Sequence, residues 1–179
     1  MDNSEQLRMT VYASLLAALT AAGAYLIIPI GPVPISLQTL FIYLTGLLLG
    51  SRWGSASVAV YLLAGFCGLP VFAGGTGGIG RLAGPTGGYL FGYLAAVFVI
   101  GLITEKAYRH WIIDVIAMAV GTFIIYSAGV VWLKTVTGMT FNKAVTVGML
   151  PFLVGDSLKI LAAVPITRVV RPLLNPAVA

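Results

Sequence analysis

The stretch WIIDVIAMAVGTFIIYSAGVVWL, residues 111–133, decides the class of fold to which this chain belongs. A transmembrane helix needs about 20 predominantly apolar residues, because the hydrocarbon core of a bilayer is roughly 30 Å thick. This stretch meets that length, with one charged residue near its start. We therefore predict that it crosses a membrane as a helix.

Five more apolar runs accompany this stretch. The six runs extend over residues 8–28, 36–50, 53–69, 85–104, 111–133 and 143–170. The second and third runs are short for a full span, and Pro151 and Pro165 are expected to bend or split the last one. The sequence thus predicts an all-α polytopic membrane protein, a single domain of six transmembrane helices over residues 1–179.

The composition excludes most soluble classes of protein. Of the 179 residues, 59% are hydrophobic and 8% are charged, with a mean hydropathy of +1.03. A soluble domain carries about 25% charged residues. The net charge of +5 arises from Lys and Arg scattered singly between apolar runs, with no basic stripe of the kind that binds nucleic acid. We therefore expect no nucleic-acid partner, and membrane lipid as the surroundings.

The basic residues are distributed unequally between the two sides of the predicted membrane. With the N-terminus inside, the inner set is Arg8, Arg52, Lys106, Arg109, Arg168 and Arg171, and the outer set is Arg81, Lys134 and Lys143. Inner loops of membrane proteins carry the excess of Lys and Arg. We therefore predict that both termini are cytoplasmic, in a multi-pass protein of a bacterial or archaeal plasma membrane.

A glycine-rich segment, FAGGTGGIGRLAGPTGGYLFGY (72–93), joins the third and fourth runs. Gly75, Gly77 and Gly80 match G-x-G-x-x-G, but no acidic residue follows about 20 positions later, so a dinucleotide site is excluded. Glycines let a backbone approach a ligand closely, successive N–H groups can hold an anion, and Arg81 adds a positive charge. The segment is either a ligand-binding loop, which we favour, or a flexible external loop.

Two charges stand inside the last apolar run, LPFLVGDSLKILAAV (150–164). Asp156 and Lys159 are three residues apart and so share one face of a helix. Charges at membrane depth face the protein interior, pair with each other or mark a pathway. The pair either only pins helices together or, as we favour, contacts a ligand.

Three further side chains are candidates for the same pocket. Gln38 lies near the outer end of the second run, and Tyr43 and Tyr89 can supply apolar walls. The sequence offers no nucleophile–base pair and no metal cluster, and we predict no cofactor. Such a pocket is suited to capturing a small polar molecule rather than to transforming it, so we predict that the protein is not an enzyme.

The first helix carries small residues at a spacing of four. One stripe consists of Ala13, Ala17 and Ala21, and Ala18 and Ala22 have the same spacing. Such stripes let helices approach closely. They serve either packing within the chain or docking of a separate membrane subunit.

Three segments together resemble the BioY family: GPVPISLQTLFIYLTGLLLG (31–50), GLPVFAGGTGGIGRLAGPTGGYLFGY (68–93) and PFLVGDSLKILAAVPITRVVRP (151–172). Members are the biotin-specific substrate-capture (S) components of energy-coupling factor transporters. The resemblance implies six transmembrane helices and a biotin site near the outer face. It implies a lid formed by the connections between helices one and two and between helices three and four. The partners that it implies are a transmembrane scaffold subunit and two cytoplasmic ATPases, with the stripe Ala13, Ala17 and Ala21 as the docking motif.

Biotin suits the predicted pocket chemically. Asp156 can accept from the ureido N–H groups and Lys159 can donate to the ureido carbonyl, while Arg81 or the N–H groups of the loop meet the valerate carboxylate. The reverse polarity, with Lys159 at the carboxylate, stays open. Three alternatives also stay open: an S component for another vitamin, a proton-coupled secondary transporter and an integral membrane enzyme.

Overall fold

The computed structural model describes residues 3–29, 32–106 and 110–174, and most of them are helical. The helices are α1 (Asn3–Tyr25), α2 (Gln38–Phe66), α3 (Gly80–Ala83), α4 (Gly87–Lys106), α5 (Trp111–Thr137), α6 (Phe141–Gly148) and α7 (Leu150–Leu174). Two short antiparallel strands, β1 (Ile27–Ile28) and β2 (Ile35–Ser36), lie between α1 and α2. In these ranges, α1, α2, α4, α5 and the combined α6–α7 stretch are long and apolar enough to cross a membrane. The predicted all-α polytopic architecture is confirmed.

The helix α2 contains two of the predicted spans, because the chain reverses direction at Gly50. Gly50 has a φ of 74° and a ψ of −169°, a conformation that glycine adopts without a Cβ clash. The side chain of Gln38, before the turn, donates a hydrogen bond to the hydroxyl of Tyr61, after the turn. In a straight helix these two residues lie about 35 Å apart. α2 is therefore a helical hairpin with two arms, α2a (38–49) and α2b (51–66).

Side chains from α4 and α7 satisfy the backbone groups at this reversal. Glu105 accepts hydrogen bonds from the backbone nitrogen of Ser51 at 2.7 Å and from its hydroxyl at 2.9 Å, at the N-terminus of α2b. Arg171 donates to the Leu47 carbonyl oxygen at 3.2 Å, near the C-terminus of α2a, and pairs with Asp114 of α5 at 2.9 Å. An anion at a helix N-terminus and a cation at a C-terminus both complement the helix dipole.

The last predicted run is split near one of its prolines. α6 ends at Gly148 and α7 begins at Leu150, with Pro151 in its first turn. Proline is favoured there, because an N–H in that turn has no helical partner in any case. α7 continues through Pro165.

The basic residues lie at two opposite ends of the bundle. α4 and α5 are antiparallel, since Gly88 packs against Trp132 and Gly121 packs against Ile100. The end at which α2 reverses holds Arg52, Lys106 and Arg171, and the end with the glycine-rich segment holds Arg81, Lys134 and Lys143. Arg109 lies outside the described residues. Which end faces the cytoplasm stays a prediction.

The alanine stripe predicted to dock a partner lies mostly inside the chain. Ala13 and Ala17 each expose 7% of their surface, and the Ala13 carbonyl oxygen accepts a hydrogen bond from the Ser57 hydroxyl of α2b at 2.7 Å. Ala21 is half-buried. Small side chains allow this close approach, so α1 uses the stripe to pack on α2. The prediction that Ala13 and Ala17 form a surface open to a partner is therefore corrected. The exposed small residues of α1 are Ser14, Ala18 and Ala22.

Candidate ligand-binding site

A cavity lies between α4, α5 and α7, under the glycine-rich segment and beside the start of α2. The space that it leaves for a water-sized molecule is about 50 Å³. Its polar wall includes Ser36, Gln38, Thr39, Arg81, Asp156 and Lys159. Its aromatic wall consists of Phe72, Tyr89, Tyr93, Tyr126 and Phe152.

Asp156 and Lys159 form the centre of a buried polar network on this wall. Asp156 Oδ1 lies 2.7 Å from Lys159 Nζ, and the two residues expose 4% and 8% of their surface. The Thr39 hydroxyl donates to the same Oδ1 at 2.9 Å, and the Tyr126 hydroxyl donates to Oδ2 at 2.6 Å. Lys159 Nζ also donates to the Ser36 carbonyl oxygen at 2.6 Å and to the Thr39 hydroxyl at 2.7 Å. The pair is thus fixed to α2, α5 and the segment before α2.

The two partners differ in what they can still offer to a ligand. An ammonium has three donors, and Lys159 already uses three, to Ser36, Thr39 and Asp156. A carboxylate has about four acceptor positions, and Asp156 uses two on Oδ1 and one on Oδ2. Asp156 therefore keeps an acceptor position on Oδ2, whereas Lys159 has no donor to spare.

Arg81 is a second cation on the cavity wall. It lies in the short helix α3 and is half-buried. Among the described residues, its guanidinium group has no hydrogen-bond or ion-pair partner. A guanidinium presents five N–H groups in a planar fork that matches a carboxylate. The region around Arg81 is therefore suited to an anionic group of a ligand.

Gln38 forms a fixed part of the wall at the start of α2. Its carboxamide oxygen accepts from the Ser36 hydroxyl at 2.9 Å, and its nitrogen donates to the Tyr61 hydroxyl. Because both ends of the amide are bonded and the residue exposes 3% of its surface, the network orients it firmly.

The two tyrosines predicted as apolar walls have different positions. Tyr89 lines the cavity, and its hydroxyl donates to the Gly148 carbonyl oxygen at 2.7 Å, tying α4 to α6. Tyr43 is fully buried away from the cavity wall, with its hydroxyl 2.6 Å from that of Thr122 on α5. Its placement as a wall is corrected: Tyr43 lies five residues beyond Gln38, in the core between α2a and α5.

Gly75 and Gly77 shape the glycine-rich segment and do not line the cavity. Gly75 has a φ of 69° and packs against the Tyr25 ring, and a Cβ on Gly77 would clash with the Leu69 carbonyl oxygen. The prediction that they contact the ligand is therefore corrected: these glycines shape the fold of the segment. The residues of the segment that do line the cavity are Phe72, Ala73, Thr76, Arg81, Thr86, Tyr89, Leu90 and Tyr93.

Sequence reasoning did not single out Tyr93 and Tyr126 as parts of the site's wall. Tyr126 holds Asp156 Oδ2, and Tyr93 exposes 7% of its surface beside the same cavity. The one signal was the spacing of four between Tyr89 and Tyr93, which places both on one face of α4. Tyr126 gave no signal, because its sequence neighbours in α5 are almost all apolar.

Comparison with known proteins shows relatives of the same architecture. Residues 1–176 match the BioY family. The biotin transporter BioY of Thermotoga maritima is 42% identical over 159 residues, covering 88% of this chain and 92% of that protein. The biotin transporter BioY of Rhizobium etli is 36% identical over 170 residues, covering 85% and 90%. The crystal structure of the S-component for biotin from an ECF-type ABC transporter superposes with a TM-score of 0.90 at 31% identity, covering 96% of this chain and 94% of that one. This chain belongs to the BioY family.

Proposed function

We propose that this chain captures biotin as the S component of an energy-coupling factor importer in the cell membrane. The cavity carries the proposal, because it combines Asp156, a carboxylate with a free acceptor position, and Arg81, a guanidinium without a partner in the described part of the chain, within aromatic walls. Family membership and the names of its relatives support biotin as the ligand.

The two ends of biotin differ in the groups that they need. The ureido ring has two N–H donors and a carbonyl acceptor, and Asp156 Oδ2 has an acceptor position for one of these N–H groups. The valerate carboxylate needs donors, which Arg81 has and Lys159 has already used. We therefore place the ureido ring at Asp156 and the carboxylate at Arg81. Phe72, Tyr89 and Phe152 surround the thiophane ring and the alkyl chain.

The glycine-rich segment acts as the lid over the bound ligand. It rests on α1, since the Tyr25 hydroxyl donates to the Pro70 carbonyl oxygen at 2.5 Å and the Gly74 nitrogen donates to that of Ala24 at 3.1 Å. Val33, from the connection between α1 and α2, adds to the same roof. Ile30 and Gly31 of that connection lie outside the described residues.

The partners are a transmembrane scaffold subunit and two cytoplasmic ATPases, with both termini of this chain in the cytoplasm. Exposed small residues on α1 offer a face for close helix contact: Ser14, Ala18 and Ala22. A neighbouring groove between α1, α2a and α7 has an apolar lining, which includes Leu15, Leu19, Phe41 and Ile166. An apolar helix of the scaffold fits such a surface.

The first test is titration of the purified chain in detergent with biotin, followed by isothermal calorimetry. We expect saturable binding with one ligand per chain. Binding of riboflavin or thiamine in place of biotin would assign the chain to another vitamin, and absence of any binding would overturn the proposal.

Transport is tested in proteoliposomes that hold the chain with its scaffold and ATPases. We expect biotin to accumulate only when the ATPases hydrolyse ATP. Accumulation by the chain alone under a pH gradient would instead identify a secondary transporter.

A further inference from the structure

The hydroxyl of Tyr93 has no hydrogen-bond partner among the described residues, although the residue exposes only 7% of its surface and lines the cavity. The other tyrosines in the core each have a bonded hydroxyl: Tyr43 with Thr122, Tyr61 with Gln38, Tyr89 with Gly148 and Tyr126 with Asp156. Tyr93 is therefore the exception in an otherwise satisfied set.

The Tyr93 oxygen is not one of the fully buried side-chain atoms that lack a hydrogen-bond partner in the described chain, which are Arg8 Nε, Ser55 Oγ and Thr167 Oγ1. Because Tyr93 lines the cavity, its hydroxyl is accessible from there, and a bound ligand can supply a hydrogen-bond partner.

Several donors on the wall are already engaged: Lys159 uses its three N–H groups, Thr39 and Tyr126 donate to Asp156, and Tyr89 donates to Gly148. Two other lining groups, the Arg81 guanidinium that we assign to the carboxylate and the Thr86 hydroxyl, have no side-chain hydrogen bond among the described residues. Tyr93 and Asp156 line the same cavity. The Tyr93 hydroxyl is thus a neutral donor, without a partner among the described residues, in the cavity that also holds the carboxylate that we assign to the ureido ring.

We infer that the Tyr93 hydroxyl donates to the ureido carbonyl oxygen of biotin while Asp156 accepts from a ureido N–H. This inference rests on the proposed function. It assigns Lys159 a different role from the one predicted from the sequence: the ammonium stays bonded to the protein and positions Asp156. A site that hydrogen-bonds a particular ligand atom discriminates strongly against analogues that lack it. Tyr93 therefore selects for an oxygen at the ureido carbonyl.

The test is a double-mutant cycle between Tyr93→Phe and a biotin analogue in which sulfur, a weak acceptor, replaces the ureido oxygen. In the wild type, we expect biotin to bind more tightly than the sulfur analogue. In Tyr93→Phe, we expect biotin binding to weaken about ten-fold, the effect of one hydrogen bond, and the preference for oxygen to shrink by the same factor. A preference that stays within two-fold of the wild-type value would overturn the inference.

Tyr43→Phe is the matched control, because the same atom is removed from a buried tyrosine that does not line the cavity. Its hydroxyl is bonded to that of Thr122, so we expect a lower melting temperature and an unchanged preference for oxygen. Tyr93→Phe removes an unbonded hydroxyl, and the ligand-free variant should melt no lower than the wild type.

Two further results keep the inference separate from the proposed function. If the wild type binds no biotin, the proposed function fails; if it binds biotin and the cycle shows no coupling, only the role of Tyr93 fails.

If the phenylalanine variant does not fold, 3,5-difluorotyrosine at position 93 serves instead. Its hydroxyl is a stronger donor and should tighten biotin binding, and weaker or equal binding would contradict the inference.

Discussion

Tyr126 on α5 donates a 2.6 Å hydrogen bond to Asp156 Oδ2 on α7. The same Asp156 is bonded to Thr39 of α2 and to Lys159. Three helices thereby hold one carboxylate in a fixed orientation against the cavity. Hydrogen bonds to a charged group in a low-dielectric interior are stronger than neutral ones.

Replacing Tyr126 by Phe is expected to weaken biotin binding about ten-fold, because Asp156 loses the bond that orients Oδ2. Calorimetry on the purified variant measures the change. Tyr43→Phe also removes a buried hydroxyl, which is bonded to Thr122 and does not line the cavity, and should leave the dissociation constant unchanged. Equal effects of the two variants would contradict a role for Tyr126 in orienting Asp156.

Replacing Asp156 by Asn is expected to weaken biotin binding at least about 100-fold, since the amide leaves Lys159 without its anionic partner. Size-exclusion chromatography in detergent should show a folded protein. Asp114→Asn is the matched control, because that carboxylate is also buried and ion-paired but lies at the opposite end of the bundle, with Arg171. We expect it to lower the melting temperature and not the affinity; unchanged affinity in Asp156→Asn would refute the assigned site.

Replacing Arg81 by Gln is expected to abolish the preference for biotin over its uncharged methyl ester, because the carboxylate loses its cation. The measurement is the ratio of the two dissociation constants in wild type and variant. Lys143→Gln removes an exposed positive charge at the same end of the molecule and should leave the ratio intact. A preserved ratio in Arg81→Gln would place the carboxylate elsewhere.

Replacing Gly77 by Ala is expected to disturb the lid, because the added Cβ clashes with the backbone of Leu69. We expect faster dissociation of biotin, measured by stopped-flow fluorescence. Gly80→Ala is the control, since a Cβ there meets nothing within 4 Å. Similar dissociation rates in both variants would show that the shape of the segment does not control release.

Replacing Ala18 by Phe is expected to prevent assembly with the scaffold and ATPases while biotin binding by the isolated chain is kept. Co-purification of the complex measures assembly. Ala17→Phe should behave differently, because Ala17 is buried against the rest of the chain and a large side chain overpacks the core. Intact assembly by Ala18→Phe would exclude this face of α1 as the docking surface.

The sequence predicted Asp156, Lys159 and Arg81 on the cavity wall, because a charge in or beside the membrane needs a partner or a polar cavity. It did not predict Tyr126, nor that Tyr43 faces away. Lipid and the protein core are both apolar, so hydropathy does not reveal which face of an apolar helix is buried. For the same reason, the sequence predicted docking at Ala13 and Ala17, whereas the small residues exposed on α1 are the neighbouring Ser14, Ala18 and Ala22.

At the reversal around Gly50, side chains of the protein take the place of water at two backbone groups. A reversal of this kind in a water-soluble protein leaves amide and carbonyl groups for solvent to bind. Here Glu105 and Arg171 bind such groups on either side of the turn. Covering the Ser51 amide and the Leu47 carbonyl with a lipid headgroup or another protein therefore displaces no water from these two groups.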